Sequence, residues 1–229
     1  GDAYHPTAPD PRGEGVYRTL RNAVEDAGIG LDDLGCINAH GTGTEANDRA
    51  ESRGIARLIG SRQIPVVSLK SFFGHCMGVT GLLEATCGLY AMREGFVPPT
   101  INFTEPRPGC NLDYVPNTPR EKRYRCFISS NYAFGGNNAA VVISSWDERS
   151  AAPRSAEERT VVTGAGTVTS LGLGSRPLLA ALRSGNTGIG DTGRLGLPHT
   201  RSSMAGLVPP FRASEVDRRL DFSGLNSIS

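Results

Sequence analysis

The sequence has no excess of either charge. Lys and Arg total 24 against 23 Asp and Glu, a net charge of +1, so no field of one sign draws the chain to nucleic acid or to an anionic membrane. It has no long apolar run. GVTGLLEATCGLYAM (78–92) comes nearest, and it is too short and too interrupted to span a bilayer. The opening GDAYHPTAPDPRGEG contains no apolar core of a secretory signal. Paired cysteines are also missing: Cys36, Cys76, Cys87, Cys110 and Cys126 form an odd set without Cys-x-x-Cys spacing. That argues against a disulfide framework and against a zinc site, and it suits a reducing cytoplasm. Most of the five read as small buried apolar residues.

What is present alternates between helical and extended patterns, which predicts an α/β protein. Val16, Leu20, Ala23, Val24 and Ala27 recur at helical spacing, and Gly28 supplies the stop. GCINAH reads as a short buried strand, followed by a helix from about Asp48 to Ile59 that Asn47 would cap. IPVVSLKS (64–71) is β-branched and reads as a second strand. The 78–92 segment is apolar on every face except for Glu84, the pattern of a helix buried between layers. FVPPTINF, with two prolines, reads as an edge or connecting segment. RCFISSNYAFGGNNAAVVIS reads as a hairpin with apolar arms around an FGG turn. Composition then shifts: DERSAAPRSAEER (147–159) has almost no large apolar residue and reads as a linker. After it a strand near Thr160–Gly164, a glycine-rich turn and a helix around PLLAALRSG restart the pattern.

Two stretches carry chemistry. In NAHGTGTEANDRAE, His40 follows a strand, and Gly41 and Gly43 allow the backbone to bend or to approach a ligand. Strand carboxyl ends are where open α/β sheets keep their ligand sites. In SLKSFFGHCMG (68–78), Lys70 precedes His75 by five residues. Lys70 is the nearby cation for Glu84, whose carboxylate would otherwise cost several kcal/mol in an apolar helix. A structural ion pair beside a loop histidine is one reading; a catalytic constellation is the other.

NAHGTGT, SLKSFFGH and NYAFGGNNAAVVI, in that order and at those intervals, resemble the C-terminal half of a β-ketoacyl-acyl carrier protein synthase. The likeness runs from GDAYHPTAPDP to Trp146 and includes VPPTINF and LDYVPN. It implies the thiolase-like fold, two βαβαβαββ halves stacked in five layers, with residues 1–146 as one C-terminal half-domain. It implies that His40 and His75 are two N–H donors to the enolate oxygen formed by malonyl decarboxylation. It further implies that Lys70 and Glu84 orient His75 and hold its tautomer. Thr42 and Thr44 would hydrogen-bond a pantetheine arm, and Phe134 would be a gating aromatic whose N–H serves a second oxyanion hole. The family's nucleophilic cysteine belongs to the N-terminal half, and none of the five cysteines here has its context. This chain alone is therefore expected to be inactive, the missing half coming from a companion chain or a longer protein. The implied partners are acyl carrier protein, which itself carries the phosphopantetheine, and a second subunit in a homo- or heterodimer. No metal or dissociable cofactor is implied.

RTVVTGAGTVTSLGLG and ALRSGNTGI (181–189) resemble the opening of the same family, so residues 160–229 read as the truncated start of a second ketosynthase-like unit. A non-catalytic chain-length-factor-like partner is the alternative, against which the presence of His40, Lys70, His75 and Glu84 argues. A nicotinamide-dependent oxidoreductase, with VVTGAGTVTS as a dinucleotide fingerprint, is a remote third reading.

Overall fold

The structure, a computed structural model, describes residues 2–145, 162–191, 193 and 202–216. The expected linker at 147–159 lies outside these residues.

The apolar spacing of the first helix gives α1 (Glu14–Ala27), which buries Val16, Leu20 and Val24 and ends at Gly28 in the left-handed region. β1 (Leu34–Asn38) is buried throughout. α2 (Glu45–Ile59) starts earlier than the sequence suggests, with Thr44 at its N-cap position and Asn47 inside its first turn. Asn47 therefore caps nothing; its side-chain N–H₂ donates to Glu51 Oε2 at 3.1 Å. The β-branched run 64–71 is a strand only at β2 (Val66–Val67). The chain then turns into the single-turn helix α3 (Lys70–Phe73), so Lys70 opens a helix and does not end a strand. α4 (Thr80–Glu94) follows, with Glu84 at 0 % exposure. It is not enclosed on every face as expected, because Leu82 is 71 % exposed.

β3 (Phe96–Val97) pairs antiparallel with β4 (Arg120–Glu121) as a small ribbon beside the main sheet. β5 (Cys126–Ala133) and β6 (Asn137–Ser144) form the expected hairpin, paired from Cys126 with Ser144 through to Ala133 with Asn137. The main sheet has the order β2-β1-β5-β6. β1 runs parallel to β2 and β5, and β6 is antiparallel to β5. The carboxyl ends of the three parallel strands therefore lie side by side; the chain emerging from β1 and β2 carries His40 and Lys70, and Asn131 lies near the end of β5. One face of the sheet packs α1 and α2 through Leu20, Ile37, Ile55 and Ile128. The other receives α4, which approaches β5 closely at Gly88; a Cβ there would fall on the Phe127 ring.

Among the described later residues no strand stands where the sequence suggests one. Thr160 and Val161 lie outside the described residues, and Val162–Thr167 carry no strand. A short hairpin, β7 (Val168–Thr169) with β8 (Gly172–Leu173), leads into α5 (Ser175–Ser184). β9 (Gly190–Asp191) pairs with β10 (Met204–Ala205), and α6 (Ala213–Val216) follows. α5 does not join the main sheet. Its Leu178 and Leu182 enter one apolar cluster with Leu69, Phe72, Phe73, Leu83, Phe96 and Ile101 of the first segment.

Candidate active site

His40 leaves the end of β1 on a loop bent at Gly41, whose φ is +48° and whose Cβ, if present, would strike Ser68. The loop is fixed by a buried carboxylate that the sequence did not single out. Glu51 on α2 accepts the backbone N–H of His40 at 2.7 Å and of Gly41 at 2.9 Å. A Glu in the charged helix EANDRAESR reads as solvent-facing, and only the packing of α2 on the sheet buries it. Burial pushes its pKa up, while the donated N–H groups pull it down.

The expected ion pair is present. Lys70 Nζ lies 2.7 Å from Glu84 Oε1, with both side chains inaccessible. Asn131, from the end of β5, completes it. Its N–H₂ donates to Glu84 Oε2 at 2.9 Å, and its carbonyl Oδ1 lies 3.4 Å from Lys70 Nζ and 3.1 Å from His40 Nδ1. Asn131 was missed because, within an apolar hairpin arm, it reads as a strand residue.

This network corrects two expectations. Lys70 and Glu84 reach His40 through Asn131, whereas His75 is held by other groups: its Nδ1 accepts the Met77 backbone N–H at 3.2 Å and meets Thr80 Oγ1 at 3.1 Å. The second correction concerns protons. A backbone N–H can only donate, so His75 Nδ1 is the acceptor and the neutral ring carries its proton on Nε2. Asn131 Oδ1 can only accept, and its amide is oriented by Glu84, so His40 Nδ1 is the donor and Nε2 keeps a lone pair. The two imidazoles, 5.4 Å apart between centroids and at 85°, thus offer one N–H donor and one acceptor, not two donors. Both are held neutral. His40 falls to about 4 through burial and then the Lys70 charge, and His75 is lowered by the same two causes in the same order.

A cavity of about 640 Å³ opens beside them, lined by Gly41, Thr42, Ser68, Lys70, His75 and Phe103 among others. Arg107 closes one rim, donating to Asp48 Oδ2 at 2.9 Å and to the Gly43 carbonyl at 2.8 Å. Thr42 faces this cavity. Thr44 is exposed outside it, its hydroxyl 3.3 Å from that of Thr42. Phe134, just beyond β5, is 75 % exposed. Of the cysteines, Cys36, Cys76, Cys87 and Cys126 all have thiols pushed up by burial, Cys36 to about 12, the opposite of an activated nucleophile. Among the described residues the dinucleotide reading finds no strand at 162–167, and a hairpin stands between the glycines at 164 and 166 and α5.

Residues 1–104 match the family described as "Beta-ketoacyl synthase, C-terminal domain". The first segment is similar to the C-terminal part of ketosynthases. It is 43 % identical over 146 residues to a 3-oxoacyl-[acyl-carrier-protein] synthase 2 of Coxiella burnetii, covering 63 % of this chain and 35 % of that one. It is 41 % identical over 145 residues to the tetracenomycin polyketide synthase ketoacyl synthase alpha subunit of Streptomyces glaucescens, covering 62 % and 34 %. Among solved structures it resembles the ishigamide ketosynthase/chain length factor, with a TM-score of 0.61 and 42 % identity over 64 % of this chain and 36 % of the other. The chain therefore spans about a third of the length of the ketosynthases it matches, and its fold is the corresponding part of a thiolase-like fold. Among the described residues no helix is long and apolar enough to cross a membrane.

Proposed function

We propose that this chain is part of a condensing enzyme of fatty-acid or polyketide synthesis, joining an acyl thioester to malonyl-acyl carrier protein by decarboxylative Claisen condensation. The observation that carries the reading is the pair of adjacent neutral imidazoles with opposite hydrogen-bonding states, backed by a buried Lys–Glu–Asn network. In the first half-reaction an acyl group passes from the carrier's phosphopantetheine sulfur to a cysteine thiolate. That cysteine belongs to the N-terminal half, supplied by a longer protein or by a companion chain; without it the segment is inactive.

In the second half-reaction the bond between the malonyl carboxylate and its α-carbon breaks. CO₂ leaves, and the electron pair delocalises onto the thioester oxygen as an enolate. His75 Nε2–H donates to that oxygen, and a preorganised donor of this kind lowers the barrier by about 3 kcal/mol. The Lys70 ammonium adds a positive field without giving up a proton. His40 keeps an Nε2 lone pair to accept a proton or a hydrogen bond, its ring centroid 5.4 Å from that of His75. The enolate carbon then attacks the acyl carbonyl; a C–C bond forms, the C–S bond breaks, and cysteine leaves as thiolate. Thr42, with Thr44 behind it, borders the cavity through which a pantetheine arm would reach His75, and Phe134 would close over the site once the N-terminal half is in place.

Acyl carrier protein is the partner this chemistry requires, and a relative's solved structure, "AntDE:AntF (apo)", is of a ketosynthase with its type II acyl-carrier protein. A dimeric, cytoplasmic enzyme follows from the same reading. The test is made in the ketosynthase that contains this segment. His75→Ala should abolish CO₂ release from malonyl-carrier protein while leaving cysteine acylation measurable. Equal loss of both half-reactions would remove His75 from the enolate site, and loss of neither would place the segment in a non-catalytic companion.

A further inference from the structure

We propose that residues 165–189, which read as the opening of a second unit, are a brace docked on the first, and that they hold the segment presenting Lys70 and His75. The docking surface is apolar at its centre. Leu178 and Leu182 of α5 are 1 % and 0 % exposed, and they lie against Leu69, Phe72 and Leu83. Its rim is polar and specific. Arg183 stacks over the Phe96 ring at 4.3 Å and donates to Glu121 at 2.9 Å and to the Glu94 carbonyl at 3.1 Å. Tyr90 of α4 donates its hydroxyl to the Ala165 carbonyl at 2.8 Å.

The contact that reaches the site is at α3. A helix of one turn leaves its last carbonyls without partners inside the helix. Phe72 is 0 % exposed, so water cannot serve its carbonyl, and a buried carbonyl needs a donor. The Gly188 N–H supplies it at 2.8 Å, and the Thr187 hydroxyl reaches the same oxygen at 3.3 Å. Phe72 lies between Lys70 and His75, so removing the brace takes away the donors to this carbonyl and uncovers the apolar face around it, inside the segment that carries both. The occupant of this surface is thus the chain's own later segment, bound in cis. The consequence for catalysis rests on the ketosynthase reading; the docking itself does not.

A protease site placed within 147–159 of the full chain tests it. After cleavage the two fragments should co-elute at the volume of the uncut protein, and Leu182→Asp should make them separate. Ring ¹⁵N spectra of the uncut chain give the second readout. Thr187→Val should move the His75 ring signals and raise its pKa toward the ordinary value as the loop opens to water, and Thr187→Ser should restore both. Cleaved wild-type fragments that separate or precipitate would overturn the docking, and so would a cut chain that elutes as an exchanged dimer. Co-elution with His75 signals indifferent to Thr187→Val would overturn the brace. None of these readouts uses condensing activity, so they fail independently of the proposed function.

Discussion

His40 carries a charge state that its surroundings impose. Burial and the Lys70 ammonium both oppose a second proton on the ring, and its pKa falls from 6.5 to about 4. As pH drops below the ordinary value the unfolded chain binds a proton that the folded chain refuses. The stability tied to His40 is therefore complete above that value and is lost as pH falls toward about 4. Down to about pH 5 the loss amounts to about 2 kcal/mol. Urea denaturation near neutrality and near pH 5 should show this slope in the wild type and less of it in His40→Gln. The comparison cancels the contributions of Glu51 and Glu84, which both proteins share. Asn131 makes a second prediction at this scale. Asn131→Leu takes the donor from Glu84 Oε2 and the acceptor from His40 Nδ1, leaving both buried atoms without these partners, and should cost about 2–4 kcal/mol by denaturation. Asn131→Asp should instead raise the His40 pKa, because a carboxylate facing Nδ1 favours the imidazolium; the His40 titration measured by NMR reads this directly. A His40 pKa unmoved by Asn131→Asp would separate the amide from the histidine.

The elements differ in how openly the sequence declares them. α1 was legible because its apolar stripe and Gly28 act within the helix itself, and the β5–β6 hairpin because FGG sits between two apolar arms. The Lys70–Glu84 pair was legible too, since an acid in an apolar helix demands a cation. The α2 start was not, because Asn47 is as plausible at a cap as inside the first turn, and Glu51, which settles the matter by accepting its side-chain N–H₂, is buried only by tertiary packing. The run VVSLKS has strand composition, yet it leaves the sheet after Val67 to form α3, and nothing local says where. Gly88 belongs with these tertiary facts. On α4 it looks like a helix-weakening residue, but it lets the helix lie against the Phe127 ring, which is 0 % exposed and has nowhere to move. Gly88→Ala should therefore destabilise the protein by about 1–3 kcal/mol in spite of the better helix propensity. Gly78→Ala, where a Cβ meets nothing within 4 Å, should change stability by less than about 0.5 kcal/mol. Equal effects in urea denaturation would mean that α4 does not pack on β5 at this distance.

For the whole molecule, sequence order and physical unit disagree. The resemblance divides the chain near residue 146 into the end of one ketosynthase-like unit and the start of another. The apolar cluster ignores that division, since Leu178 and Leu182 share it with Leu69, Phe72 and Phe96. An isolated opening strand would leave its valines without a core; Val162 is 64 % exposed, and Val168 in β7 is 40 % exposed. Among the described later residues α5 enters a core, and that core belongs to the first segment. Side chains that share a core unfold together, because removing one set exposes the other. The chain should therefore show one main unfolding transition detected alike by Tyr fluorescence, to which the first segment contributes, and by far-ultraviolet circular dichroism. Leu182→Ala removes buried methyl groups from α5 and should lower the stability of that whole transition by about 2–4 kcal/mol. If α5 were an independent domain, the same substitution would move a separate, smaller transition and leave the melting of the first segment where it was.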